Sequence, residues 1–190
     1  GTSADEMGLY EEARKAGELT VRAYLAFRAD GSTTEADADA MVATWQRLRD
    51  DDPTLRTGIV KMFADGVIES RTAAMLDPYP GSDQRGAPNL TEDDLTRVVA
   101  MLDRRGLQVQ IHAIGDRAIR MALDAFEHAA RVNPAPSRGR RHRLEHIEAV
   151  AEADIPRLAR LGVIASAQPM HVALGDMNQA TPSGPWPDNV

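Results

Sequence analysis

Gln108-Val109-Gln110-Ile111-His112 and Arg143-Leu144-Glu145-His146 are short apolar runs that each finish on a histidine, and Ile59-Val60-Lys61-Met62-Phe63 carries a lysine in an equivalent place. Each run reads as a β-strand followed by a loop and then by a helical apolar period. Three groups able to hold a metal would therefore leave a parallel sheet at the same, carboxyl, end. In a β/α barrel that end carries the chemistry.

The same grammar extends in both directions. Met7, Leu9, Tyr10, Ala13 and Ala16 give an amphipathic helix over Asp5 to Ala16 with Gly17 as its stop, and Leu19 to Phe27 reads as a strand. Thr34 and Glu35 open a helix carrying Met41, Trp45 and Leu48, which ends before Pro53. Gly58 to Ala64 is the next strand, followed by a long loop from Asp65 to Leu90. Thr91 caps a helix to Arg105, Leu107 to Ala113 is a strand, and Asp116 is the expected N-cap of a helix to Val132. His142 to Ile147, a helix from Ala151 to Leu161, and Val163 to Ala167 complete the pattern. Five strands alternating with five helices predict an α/β fold of parallel βαβ units.

An open doubly wound sheet and an eight-stranded barrel share this pattern, and a barrel takes about 250 residues. The chain has 190 residues, opens directly on a helix and closes on the turn-rich Thr181-Pro182-Ser183-Gly184-Pro185-Trp186-Pro187. That combination reads as an excerpt of a barrel.

Composition narrows the function classes. With 43% hydrophobic and 27% charged residues the chain is an ordinary globular protein, and its formal charge of −7 argues against nucleic acid or an anionic membrane as partner. Cysteine is absent, so any metal is held by nitrogen and oxygen. No apolar stretch approaches the roughly 20 residues of a membrane span, and Gly1 to Glu6 lacks the features of a secretory leader. A cytoplasmic location is the expectation. The basic run Arg138 to Arg143 is expected to be a solvated loop entering a strand.

His112 and His146 are one βα unit apart and can lie side by side on neighbouring strands. Neutral imidazole is a good ligand for zinc and similar ions, although a strand-end histidine can equally be a packed or hydrogen-bonded residue. Lys61 in an apolar strand costs desolvation unless something pairs with it. Burial favours its neutral amine, which can form an anionic carbamate with carbon dioxide, and an ion-paired core lysine is the alternative. Arg71 in the long loop could grip a carboxylate or simply face solvent. His171, after the last strand, is a candidate pocket residue. Dinucleotide, P-loop, serine-hydrolase and H-E-x-x-H motifs are missing from the sequence.

Val60-Lys61-Met62-Phe63-Ala64-Asp65-Gly66 with Ser70-Arg71-Thr72-Ala73, Ile111-His112-Ala113-Ile114-Gly115-Asp116-Arg117-Ala118, Arg143-Leu144-Glu145-His146-Ile147 and Ala167-Gln168-Pro169 together resemble amidohydrolase family 3, the branch that includes N-substituted formamide deformylase. The resemblance implies a (β/α)8 TIM barrel of the metal-dependent hydrolase superfamily, of which residues 1–190 hold strands 3 to 7. The flanking β domain and strands 1, 2 and 8 have no counterpart in the sequence, nor do the H-x-H of strand 1 and the aspartate after strand 8. It implies hydrolysis of an amide-like small molecule at a C–N bond by a metal-activated water, with one or two divalent ions, zinc foremost. His112 and His146 match the metal ligands ending strands 5 and 6. Lys61 matches the lysine of strand 4 that is carbamylated in binuclear members, and Arg71 and His171 are candidate substrate contacts. The 190 residues alone are expected to show no turnover and weak or no metal binding.

Two other readings stand beside this one. A partial barrel without catalysis could act through association, since open sheet edges leave homo-oligomer formation open. A lyase or isomerase could use Lys61 as a base or Schiff-base amine.

Overall fold

The computed structural model describes residues 1–137 and 139–168; His171 and the segment 181–187 lie outside them. Five strands, β1 (Ala23–Arg28), β2 (Leu55–Phe63), β3 (Gln108–Ala113), β4 (Arg143–His146) and β5 (Ile164–Ala167), form one sheet in the order β1-β2-β3-β4-β5. Every pairing is parallel. Spatial order equals chain order, with no reversal of the kind that defines a doubly wound sheet. The sheet is thus one sector of a β/α barrel, consistent with the expected partial TIM barrel.

The connections are α1 (Ala4–Lys15), α2 (Glu35–Arg47), α3 (Glu92–Arg104), α4 (Asp116–Val132) and α5 (Ile155–Arg160), the last preceded by a 3₁₀ turn at Glu152–Asp154. Thr34 and Thr91 cap α2 and α3 by accepting the amides of Asp37 and Asp94. α3 buries Leu95, Val98, Val99, Met101 and Leu102, and α4 buries Ile119, Ala122, Leu123, Phe126 and Ala129. This is the spacing of a single helical face. Those faces cover Val60, Met62, Val109, Ile111 and Leu144, all buried on one side of the sheet. The core therefore lies between sheet and helices, and the polar side chains of the strands are left for the opposite, lumenal face.

Two boundaries and one buried face depart from expectation. β1 begins at Ala23 rather than Leu19, because Gly17 takes a φ of 74° and the amides of Glu18 and Leu19 both donate to the Ala13 carbonyl, tying Leu19 to the helix end. Of the apolar face expected on α1 only Met7 is buried, while Leu9 is 65% exposed and Tyr10 38%. α5 starts at Ile155 because Pro156 fits only the first turn of a helix.

Gly58 sits in β2 with a φ of 124°, and a Cβ there would lie 2.6 Å from the Trp45 indole nitrogen. Gly58→Ala is expected to lower stability by about 2–4 kcal/mol through backbone strain and overpacking. Chemical denaturation measures it, and a loss under ~0.5 kcal/mol would mean that Trp45 moves aside freely.

At the amino end of the sheet Asp103, on α3, is buried beneath three donors. It accepts from His142 Nε2 at 3.0 Å, Asn133 Nδ2 at 2.9 Å and Arg140 Nε at 3.0 Å. His142 Nδ1 in turn accepts the Val109 amide at 3.1 Å, and the ring stacks on Phe126. His142 thus lies at the end opposite His146, as expected. The basic run is not wholly solvated, however, since the Arg140 side chain is only 14% exposed, and its charge is used to hold Asp103.

Candidate functional site

Register decides which strand residues share the lumenal face. Arg28, Lys61, Gln110 and Arg143 are successive partners across four strands, and two residues further along Phe63, His112, Glu145 and Ser166 form the next rung. Partners in register point to the same face, as do residues two apart on one strand.

His146 would escape this face by alternation, since it pairs with Ala113 and follows Leu144 by two residues. Its own φ of 76° and the 54° of Ile147 break the alternation. The His146 ring instead meets the His112 ring edge-on, with centroids 4.5 Å apart. Two left-handed, non-glycine residues in succession are a strained arrangement, and strain of this kind collects where a side chain must be aimed.

His112 Nε2 lies 2.9 Å from the Gly66 carbonyl and 3.5 Å from Asp65 Oδ1. A carbonyl only accepts, so Nε2 is the donor, and in the neutral ring that tautomer leaves Nδ1 as the acceptor. Lys61 is buried, and its ammonium bonds to Glu145 Oε2. Glu145 Oε1 also accepts from Arg143 at 2.8 Å. Burial would push the Glu145 carboxyl up, but the hydrogen bond and charge of Lys61, with Gln110 and Arg143, hold it below its ordinary value. Phe63 joins the two halves of the site, for Lys61 Nζ stands 5.0 Å from its ring centroid and the His112 ring 5.5 Å. Lys61, His112 and His146 are therefore gathered at the carboxyl end of β2, β3 and β4.

The segment 64–91 closes over this end as a packed structure. Its Ile68, Ala73 and Tyr79 form a small core with Ile114, after β3, and Ala149, after β4. The Tyr79 hydroxyl donates to the Ala73 carbonyl at 2.8 Å, and its pKa is pushed up to about 12 by burial and then by the Asp65 charge. Asp65 is the anchor: its buried carboxylate accepts the amides of Ala74 at 3.0 Å, Ile114 at 3.1 Å and Gly115 at 2.8 Å. Burial pushes that carboxyl above its ordinary value, and the three amides and His112 restrain the rise.

The N-cap of α4 is Gly115, not Asp116. The Ala74 carbonyl accepts the amides of Arg117 at 3.1 Å and Ala118 at 3.3 Å, so the loop itself caps the helix. A Cβ on Gly115 would lie 2.1 Å from that oxygen, which is why the position is glycine. Asp116 Oδ1 accepts the Leu76 amide at 2.7 Å and so tethers the loop.

Arg71 is exposed in this loop with a φ of 55°, and it makes no hydrogen bond or ion pair to Lys61, His112 or His146. Sequence reasoning did not single out Glu145, Asp65 or Phe63 as site residues. The signal for Glu145 was available, because a buried lysine demands an anion and Glu145 shares the parity of His112 across neighbouring strands. Asp65 carried no such signal, since its partners lie in two other segments.

Among the described residues no group of three His, Cys, Asp or Glu is placed to hold a metal. His112 and His146 supply two imidazoles, half of a four-coordinate set. Lys61 adds a third donor only as a carbamate, which would have to leave its present bond to Glu145. No helix among the described residues is long and apolar enough to cross a membrane.

Comparison with known proteins places these observations. The chain is 35% identical over 140 residues to the Arabidopsis thaliana protein LONG AFTER FAR-RED 3, a match covering 69% of the chain and 24% of that protein. It is 30% identical over 169 residues to YtcJ of Bacillus subtilis (strain 168), which is named as an amidohydrolase, covering 88% of the chain and 29% of YtcJ. Two crystal structures of uncharacterized metal-dependent hydrolases align with it. That from Pyrococcus furiosus gives a TM-score of 0.69 at 26% identity over 90% of the chain, and that from Pyrococcus horikoshii OT3 gives 0.68 at 25% identity over 90%. The chain spans 34% and 32% of those two proteins, about a third of each. The family model for the amidohydrolases matches residues 1–187. With that match over nearly its whole length, the chain belongs to the amidohydrolase family.

Proposed function

We propose that this chain supplies part of the metal centre of a hydrolase that cleaves amide or other non-peptide C–N bonds in small molecules. The observation carrying the proposal is the His112–His146 ring contact at the carboxyl rim, at 4.5 Å between centroids, produced by a strained backbone at His146 and Ile147.

His112 would hold the ion through Nδ1, its Nε2 being oriented by the Gly66 carbonyl, the arrangement typical of metal-bound imidazoles. When bound, a divalent ion such as zinc would polarise the substrate carbonyl and acidify a water molecule. Lys61 has two roles open to it: as a carbamate it adds an oxygen donor, and as the ammonium bonded to Glu145 it presents a positive charge to the lumen. The second is favoured by the ion pair itself. The 190 residues alone supply too few ligands for turnover.

Titration with Zn²⁺ followed through the histidine ring protons tests the reading. The rings of His112 and His146 are expected to respond together and at lower Zn²⁺ than His128 or His142, whose two nitrogens are engaged by Asp103 and the Val109 amide. His112→Ala should weaken the response of His146 by at least ~10-fold. Equal responses at all four rings, or an unchanged His146 in the variant, would defeat it.

A further inference from the structure

Lys61 matches a lysine that carries an anionic carbamate in binuclear relatives, yet its surroundings in this chain are those of a cation. Its ammonium bonds to Glu145 Oε2, and the two side chains are only 9% and 14% exposed. They belong to β2 and β4, two strand spacings or about 10 Å apart, so they meet across β3 by extending toward each other. Lys61 Nζ also stands over the Phe63 ring, 5.0 Å from its centroid. The face of an aromatic ring carries negative charge density, which attracts a cation within about 6 Å and repels an anion.

The charges of the group point the same way. Lys61 and Arg143 are two cations on one carboxylate, Glu145, whose Oε1 accepts from Arg143 at 2.8 Å. A carbamate on Lys61 would turn one excess positive charge into one excess negative charge and set two carboxylate-like anions against each other, and like charges shielded from bulk water repel strongly. Arg143 already serves Glu145 and Gln110. Arg28, the register partner of Lys61 on β1, has the Asp30 carboxylate beside it, which is held below its ordinary pKa by its bonds to Ser32 and then by the Arg28 charge. Neither arginine is therefore free to compensate a second anion. Carbamate formation joins the amine nitrogen to the carbon of carbon dioxide, with a carbonyl electron pair passing to oxygen and an N–H proton to water. It needs the nitrogen lone pair, and in the ion pair the nitrogen presents a proton to Glu145 instead.

We propose that Lys61 stays unmodified in this protein and that Glu145 is the positioning residue that keeps it so, leaving the lysine to act through a fixed positive charge near His112 and His146 and not as a bridge between two metal ions. This deepens the reading of the metal centre and rests on it for the role of the two histidines.

The test is carbon-13 NMR of the protein in carbon-13-labelled bicarbonate, with and without Zn²⁺, using Lys61→Arg to identify the signal of this lysine. The wild-type chain is expected to give no Lys61 carbamate in either condition. Glu145→Gln keeps the shape and removes the negative charge, and it should raise the carbamate share at Lys61 by at least ~10-fold. Glu145→Asp changes the shape and keeps the charge, and it should stay as free of carbamate as the wild type. A Lys61 carbamate in the wild type overturns the proposal and needs no variant to be seen. So does a folded Glu145→Gln protein without carbamate, or a Glu145→Asp protein that carries as much as Glu145→Gln. The readout needs no turnover. A Zn²⁺ response of the histidine rings together with a Lys61 carbamate sinks this inference alone, and an unmodified lysine without that response sinks the metal reading alone.

Discussion

Asp65→Ala is expected to lower stability by about 3–5 kcal/mol, because three buried amides, those of Ala74, Ile114 and Gly115, lose their acceptor at once and each orphaned donor costs about 1–3 kcal/mol before water or relaxation recovers part of it. For a chain of this size that corresponds to a fall of roughly 10 °C in melting temperature. Asp65→Asn should cost less, since it preserves shape and one acceptor oxygen but sets an amide NH₂ against the donors. Asp77→Ala in the same loop, whose side chain is 98% exposed, serves as the control and should change little. The loss should be local as well as global, with the amides of Ile114 and Gly115 exchanging with solvent much faster in the variant. A change below ~1 kcal/mol would show that the segment 64–91 holds its place without this carboxylate. Because Asp65 Oδ1 is 3.5 Å from His112 Nε2, the same variant should also loosen the His112 ring.

The second large effect belongs to the opposite end of the sheet. Asp103→Ala removes the acceptor shared by His142, Asn133 and Arg140, and breaking a buried charged pair of this kind costs about 3–5 kcal/mol. The pH dependence has a definite sign. Burial pushes the Asp103 carboxyl up, yet its bonds to His142 and Asn133 and the charges around it hold the pKa below the ordinary 3.8. A carboxyl whose pKa is depressed by folding stabilises the native state above its ordinary value, and that contribution is lost as pH falls through the folded value. Wild type should therefore exceed Asp103→Asn in stability by a constant margin above pH 3.8 and by a shrinking one below it. Denaturant titrations of both proteins across the acid range decide the matter, and a margin that stays constant into strong acid would exclude Asp103 as the source.

Both aspartates illustrate what a one-dimensional reading reaches. The helices α3 and α4 were legible because their apolar residues recur at helical spacing, and β2, β3 and β4 because β-formers cluster between breakers. His112, His146 and Lys61 could be placed at one rim because each ends or sits in such a strand. The start of β1 was misjudged because Leu19 has strand-like neighbours, whereas hydrogen bonds to Ala13 hold it at the end of α1. The Asp116 cap was misjudged for a similar reason, since the chemistry of an N-cap can be supplied by any acceptor in space, here the carbonyl of Ala74, more than 40 residues away in sequence.

The amino-acid sequence by itself determined the alternation of strands and helices, the buried face of each and the rim where the histidines emerge, because periodicity and turn chemistry are local properties of a chain. The unreversed strand order, the left-handed turn at His146 that brings its ring against His112 and the pairing of Lys61 with Glu145 were decided only by tertiary structure. They depend on parallel register and on contacts between segments far apart along the chain, and no local pattern encodes which distant residue will stand opposite another.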